Sequence, residues 1–321
     1  MRGSAVLADA ANAVLLGSIP VERKFAIGVA GLLAGHIARG AWVRRRGARR
    51  RAAAYDVFDR GSGRPVEVDA HRPADARLAV IFSNGLGSPH EQWTWVCAHL
   101  PDDVAYLKYN RPAPTRDGGV DEQFALLDRL RDHYLGDLPV VVVGHSLGGY
   151  LAAAYAARRP AAGISHVVLV DATNIDDLVR ARGSKTDVWT RQQLVMELAW
   201  AALGFNVTRP MSRWRDSYPA EVRAAMTEFH ARPGVWAATL REYRQAFSWP
   251  AVGRLSVPLH VVTAVNGLPD TRAHAASQRG LLELSDRSTQ HHLEETDHEQ
   301  VLSDETNAKA VAALVLNGGA A

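Results

Sequence analysis

The stretch from Val140 to Gly149, with the sequence VVVVGHSLGG, carries the residues best suited to chemistry. Its apolar run predicts a strand covered on both faces, and the alanine-rich segment after it predicts a helix over 147–158. Between them, Gly144 and Gly148 leave room for strand and helix to approach around Ser146. Such a turn lifts the hydroxyl out of the sheet and places it at the start of a helix, where backbone amides stabilise negative charge. The pattern predicts a nucleophilic serine.

The elements needed to position this serine alternate along the chain from residue 55 onward, and strands alternating with helices predict a mostly parallel sheet covered on both faces. A first hairpin is predicted from Tyr55–Asp59 and Val66–Ala70 around a Gly-Ser-Gly turn. The remaining predicted strands are Leu78–Ser83, Val104–Tyr109, Pro139–Val143, Val167–Val170, Pro258–Ala264 and Thr289–Glu294. The predicted helices are Gln92–Leu100, Val120–Tyr134, Leu147–Arg158, Thr271–Leu284 and Val301–Leu316.

Two segments depart from this alternation. Residues 172–257 lack strong strand signals and contain five of the eight tryptophans, which predicts a helical insertion. Residues 1–54 combine an apolar run with arginines and form a separate arm. The predicted organisation is therefore an arm over 1–54, an α/β core over 55–171 and 258–321, and a helical insertion over 172–257.

The strand–G-x-S-x-G–helix arrangement resembles the nucleophile elbow of the α/β-hydrolase superfamily, and the resemblance covers about residues 55–317. It implies an α/β-hydrolase fold, a mostly parallel, doubly covered sheet in which residues 172–257 correspond to the family's cap. Haloalkane dehalogenases and epoxide hydrolases of this superfamily use an aspartate at the elbow, and Ser146 argues against both. A serine fits cleavage of ester-type acyl bonds through an acyl-enzyme.

A serine nucleophile needs a base, and the base needs a carboxylate to orient it. In the family the histidine follows the last strand, which assigns the role to His298. His291 and His292 lie within the predicted strand and are weaker candidates. For the acid two positions stay open, Asp171 after the strand that follows the elbow helix and Asp270 after the penultimate strand, with Asp171 narrowly favoured.

The resemblance also implies an oxyanion hole made of two backbone amides. One is that of Leu147, directly after the nucleophile. The other is assigned to Leu86, in the loop Asn84-Gly85-Leu86-Gly87 after the third strand, where the family more often has His-Gly. Because the donor is a backbone amide, the loss of that histidine leaves the hole intact, and Asn84 and Gly85 are counted among the binding residues.

The expected function is that of a cofactor-independent serine esterase acting on a small apolar acyl substrate. Two alternatives remain open on the same fold. One is a non-catalytic receptor for a small ligand, and the other is an acyltransferase in which an acceptor replaces water.

Composition and charge limit other classes of function. The single cysteine, Cys97, excludes intramolecular disulfides and sites with several thiolates, and predicts a reducing, cytoplasmic setting. Residues 1–54 carry ten Lys/Arg against two Asp/Glu, whereas the rest carries 27 against 32. A mildly acidic main domain does not favour nucleic-acid binding.

No Rossmann or Walker sequence is present, so neither a nucleotide cofactor nor a metal is expected, and the oligomeric state is left unspecified.

The arm allows two interpretations. Phe25–Ala38 is apolar, and arginines follow it at Arg39, 44–46 and 49–51. An apolar run of 14 residues is shorter than the roughly 20 of a membrane span. The arm is therefore either a membrane element, as a helix in peripheral contact with an anionic surface or a marginal span with its arginines inside, or a helix packed on the body of the protein or a frayed tail.

Overall fold

An eight-stranded sheet forms the centre of the protein, whose computed structural model describes residues 21–59, 65–112, 114–115, 119–207, 216–265 and 271–317. The strand order is β1-β2-β4-β3-β5-β6-β7-β8. The β1–β2 and β2–β4 pairs are antiparallel, and every later pair is parallel. The strands are β1 Asp56–Phe58, β2 Val66–His71, β3 Leu78–Ser83, β4 Val104–Tyr109, β5 Val140–His145, β6 Ile164–Val170, β7 Leu259–Val265 and β8 Ser288–Glu294.

Helices cover both faces of the sheet, as the sequence predicts for a doubly covered parallel sheet. Val140, Val142 and Leu169 belong to the apolar cluster on one face, and Val141, Val143 and Val168 to the cluster on the other. Both faces are therefore dry, which explains why β5 and β6 are almost continuously apolar. The α-helices that surround the sheet are α2 Thr94–Ala98, α3 Val120–Tyr134, α4 Leu147–Arg158, α9 Thr271–Gly280, α10 Gln300–Ser303 and α11 Glu305–Asn317.

Between β6 and β7 the described chain is helical. The segment consists of α5 Ile175–Arg180, α6 Lys185–Leu203, a 3₁₀ turn Phe205–Val207, α7 Ala220–His230 and α8 Pro233–Ala246. Its tryptophans serve different purposes: Trp249 stacks on Tyr150 of the core, Trp236 stacks on His230, and Trp189 is 61 % exposed.

The helix α1, Val21–Ala54, docks on the body through its second half only. Close packing begins where the backbones of His36 and Gly40 meet Gly204 at the end of α6. Arg51 is buried in an ion-pair network with Glu67 and Glu91. By contrast, the apolar side chains before His36 project into solvent, including Phe25, Ile27 and Leu32 at 75 %, 55 % and 70 % exposure.

Candidate active site

The turn between β5 and α4 holds Ser146 in a strained backbone conformation, with φ 54° and ψ −127°. A non-glycine residue in this region needs support from its surroundings. The support is tight packing: a Cβ on Gly144 would lie 2.3 Å from the carbonyl oxygen of Gly148, and one on Gly148 would lie 2.2 Å from that of Ser83. These two glycines are required for the close approach of strand, turn and helix, as their spacing predicts.

Asp171 follows β6 directly and has a positive φ of 42°. Its amide donates to the carbonyl of Val262 over 2.7 Å. Its buried carboxylate receives three donors: Oδ1 accepts from the amide of Ala264 at 3.0 Å and from His274 Nε2 at 2.7 Å, and Oδ2 lies 2.6 Å from His298 Nδ1. Burial alone would raise the pKa of this carboxyl, but the bonds and charges of the two histidines hold it well below its usual range.

His298 lies in the loop between β8 and α10, and its side chain is 44 % exposed. Burial of the ring opposes its charge, but the hydrogen bond and charge of Asp171 outweigh this and raise the pKa of His298. Because Nδ1 faces Asp171, Nε2 is the nitrogen left for a proton-transfer role. The structure thus brings His298 to Asp171, one of the two acids that the sequence left open. The other, Asp270, lies outside the described residues.

His274 on α9 is a third member of this cluster that sequence reasoning missed. Its Nε2 lies 2.7 Å from Asp171, on the carboxylate oxygen that does not face His298. The bond to Asp171 raises the pKa of His274, while burial and the charge of His298 oppose the shift. The only signal in the sequence is that α9 begins in the loop after the penultimate strand, where the family most often has its acid.

His145, inside the elbow motif, positions the loop that carries His298. Its Nε2 lies 3.0 Å from the backbone oxygen of His298, and the two rings are 4.5 Å apart. Burial and the neighbouring charge of His298 lower the pKa of His145 to about 3. A neutral ring therefore donates from Nε2, which ties the elbow to the β8–α10 loop.

The loop after β3 lies beside the elbow. A Cβ on Gly85 would lie 3.4 Å from Ser146 Cβ, so this loop packs close to the serine. Asn84 shapes it from within: Nδ2 donates to the carbonyl of Tyr109 and Oδ1 accepts from Trp93 Nε1, both at 2.9 Å. The amide of Leu86 follows in this loop, and that of Leu147 is the first of α4, where no acceptor exists within the helix.

Two cavities open beside this loop. The smaller, about 130 Å³, is bounded by Leu86, Trp236 and Glu299, the neighbour of His298. The larger, about 310 Å³, is bounded by Gly85 and Ser88 and extends away toward α7 and α8.

The other histidines that the sequence raised lie apart from this cluster. His291 Nε2 is 3.2 Å from His260 Nδ1, and His292 is exposed on β8. Within the part of the chain that the structure describes, no group of three or more His, Cys, Asp or Glu is arranged to hold a metal ion.

Comparisons with known proteins agree with this architecture. The sequence model of the alpha/beta hydrolase family matches residues 80–314. Abhydrolase domain-containing protein lid-1 of Caenorhabditis elegans is 29 % identical over 200 residues, 56 % of this chain and 51 % of that protein, so the match spans about half of the relative.

Solved structures share the fold at low sequence identity. The Cif epoxide hydrolase from Acinetobacter nosocomialis is 15 % identical with a TM-score of 0.65, covering 87 % of this chain and 96 % of that one. A thermophilic esterase from Thermogutta terrifontis is 16 % identical with a TM-score of 0.58, covering 83 % and 98 %.

Proposed function

Since a family model matches well over half of its length, the chain belongs to the α/β hydrolase family, and we propose that it is a serine hydrolase that cleaves ester-type acyl bonds through an acyl-enzyme. The observation that carries this proposal is the arrangement at the elbow. A strained Ser146 lies on the turn, next to His145, whose ring packs on the His298–Asp171 pair.

In the proposed reaction Ser146 Oγ attacks the acyl carbon while His298 Nε2 takes the hydroxyl proton. The tetrahedral intermediate collapses, the bond to the leaving oxygen breaks, and His298 returns the proton to that oxygen. Water then attacks the acyl-enzyme with His298 again as base, and Ser146 leaves with the proton. Asp171 keeps the proton of His298 on Nδ1 and stabilises the imidazolium, and the amides of Leu86 and Leu147 stabilise the oxyanion.

We assign the acyl group to the smaller cavity. Its volume of about 130 Å³ suits a short chain, and Leu86 and Trp236 offer it apolar and aromatic surface. The cavity is lined by Leu86, in the loop after β3, and by Glu299, the residue after His298, which supports its assignment to an acyl group on Ser146. A small apolar acyl group is therefore the proposed substrate part at this position.

The experiment is hydrolysis of p-nitrophenyl esters with acyl chains of two to twelve carbons, together with labelling by a fluorophosphonate probe. We expect the parent to hydrolyse short-chain esters fastest. In Ser146→Ala both ester hydrolysis and probe labelling should be lost, whereas Ser248→Ala, a substitution of an exposed serine, should behave as the parent. Labelling of Ser146 without ester turnover would favour the acyltransferase. A folded parent that neither labels nor turns over would overturn the hydrolase and favour the receptor.

For the arm, we propose that the projecting part of α1 contacts an anionic lipid surface. Among the described residues, the helix from Phe25 to Ala54 is long and apolar enough to cross a membrane, by length and composition. Only its second half is docked on the body. Exposed arginines follow the apolar part at Arg39, Arg45, Arg46 and Arg49. Apolar side chains in the acyl region and guanidinium groups among anionic headgroups match the order of these residues along the helix.

Point substitutions test this proposal better than truncation, because removing residues up to 54 would take away the buried Arg51. We expect the parent to float with phosphatidylglycerol vesicles more than with phosphatidylcholine vesicles. Phe25→Gln combined with Leu32→Gln should reduce flotation more than tenfold, since each buried side chain contributes about 2 kcal/mol. Val188→Gln with Val195→Gln, exposed on α6, is the matched control. Equal flotation of both double variants would exclude the proposed contact.

A further inference from the structure

The larger cavity, of about 310 Å³, lies beside the proposed nucleophile and has a charged lining. Gly85 and Ser88, which follow β3, bound its near side, and Gly85 packs against Ser146. On the far side it is bounded by Phe229, at the end of α7, and by Arg232, which directly precedes α8. A substrate held in the smaller cavity by its acyl group has its remaining portion free to enter this space.

Most charged groups of the cavity are already paired within the protein. Arg111 Nε lies 2.7 Å from Glu242 Oε1. Glu67 pairs with the buried Arg51. These pairs stabilise the walls and leave no charge to offer a ligand.

Arg232 is different. Within the described ranges no carboxylate lies within 4 Å of its guanidinium. Its Nε reaches the carbonyl of Phe229 at 3.4 Å, and its guanidinium carbon lies 4.6 Å from the centroid of the Phe229 ring. The guanidinium of Arg51 lies 5.6 Å from the same ring, but Arg51 is already paired with Glu67 and Glu91.

A half-buried guanidinium without a directly bonded anion is costly, because it has lost water without gaining a counterion. Burial first, and then the charge of Arg51, lower the pKa of Arg232, while the charges of Glu67, Glu91 and Glu228 oppose this shift. The N-terminus of α8 adds to the positive potential, since Gly234 and Val235 line the same cavity. An anion placed here would gain a charge-assisted bond and relieve this destabilisation.

We propose that the larger cavity binds an anionic group of the substrate, a carboxylate or a phosphate, through the guanidinium of Arg232. The inference rests on the proposed hydrolase and narrows its substrate class. The preferred ester carries a short apolar acyl group on one side and a negative charge on its alcohol portion.

The test compares three phenyl butyrates that differ only at the para position of the leaving group: carboxylate, phosphate and the neutral methyl ester. We expect the parent to show a higher kcat/KM for at least one anionic ester than for the neutral one, and the better anion identifies the group. Arg232→Gln should lower the ratio of anionic to neutral kcat/KM by about 10–100-fold, mainly through KM, and Arg232→Lys should restore part of it. Arg244→Gln, on the exposed face of α8, removes the same charge and should leave the ratio unchanged.

A second measurement separates this inference from the hydrolase itself. Phenyl phosphate or benzoate should raise the Tm of the parent and of Arg244→Gln, but not that of Arg232→Gln. A parent that is stabilised in this way yet turns over no ester would support the anion site and overturn the hydrolase. An ester preference or a Tm shift that persists in Arg232→Gln would overturn the anion site.

Discussion

Asp171→Asn tests how much the negative charge and the second acceptor oxygen of Asp171 contribute to the proposed reaction, since the two side chains have nearly the same shape. The change removes one negative charge and replaces one acceptor oxygen by an NH₂ group. In the parent, Oδ1 accepts from Ala264 N at 3.0 Å and from His274 Nε2 at 2.7 Å, while Oδ2 faces His298 Nδ1 at 2.6 Å. Both oxygens therefore act as acceptors, whereas an asparagine accepts on one side only.

A backbone contact determines which way the side-chain amide of the new asparagine is oriented. The amide of Ala264 is a fixed donor, and turning an NH₂ toward it would leave two buried donors facing each other, at a cost of about 1–3 kcal/mol. The asparagine therefore keeps its oxygen toward Ala264 and donates to His298 Nδ1. This places the proton of His298 on Nε2, so the ring can no longer take the proton of Ser146. We expect kcat to fall about 10⁴-fold, equivalent to about 5 kcal/mol of transition-state stabilisation.

The assay is kcat/KM for the best p-nitrophenyl ester, with circular dichroism and Tm to confirm folding. Asp297→Asn is the matched control in the loop of His298, because its Oδ1 accepts from the amides of Glu299 and Gln300, as the oxygen of an asparagine also does. It should retain activity within about threefold, in line with a surface substitution. If a folded Asp171→Asn keeps more than a tenth of parental activity, the assignment of Asp171 as the acid is wrong.

Three further predictions concern the same site. Because Asp171 raises the pKa of His298 and a base must be neutral, kcat/KM should fall as the pH drops through a limb that lies above the ordinary histidine value of about 6.5; a limb below 6 would contradict this. His274→Gln keeps a donor for Asp171 but removes a ring whose charge and that of His298 repel each other, so this limb should move to higher pH, and an unchanged profile would give His274 no electrostatic role. Gly148→Ala places a methyl group 2.2 Å from the carbonyl oxygen of Ser83, so thermal unfolding should show a loss of more than about 2 kcal/mol, with Gly28→Ala, where nothing lies within 4 Å, as the control that loses none.

The doubly covered sheet could be predicted because its signals are local. The apolar runs of β5 and β6 and the periodicity of α3 appear directly in the sequence, and each element forms close to its predicted bounds. The state of α1 could not be predicted in the same way. Its composition fits both a membrane-surface helix and a packed one, and the structure packs its second half on the body while the apolar side chains before His36 are exposed. The division depends on which side chains meet α6 and α7, a long-range property that apolar content does not encode.

The turn at Ser146 could be predicted from the sequence because its close packing requires glycines two residues before and two residues after the serine. The choice between Asp171 and Asp270 as partner of His298 could not be made from the sequence, because the position of Asp171 relative to His298 depends on the register of neighbouring strands. Asp171 is placed where β6 pairs with β7, and its amide bonds to Val262 of that neighbour. No spacing between residues in the sequence indicates this strand register.

His274 could not be predicted from the sequence for a further reason: its proposed role depends on the carboxylate of Asp171, which it shares with His298. Asp171 has two oxygens, and the fold places one histidine on each, so the two rings are coupled through a single negative charge. If both rings were protonated, each would lower the pKa of the other, and the pair therefore titrates as a unit. The proton affinity of His298 is then set by α9 as well as by its own loop. A shift of α9, which begins at the loop after β7, would change the basicity of His298 without moving Ser146.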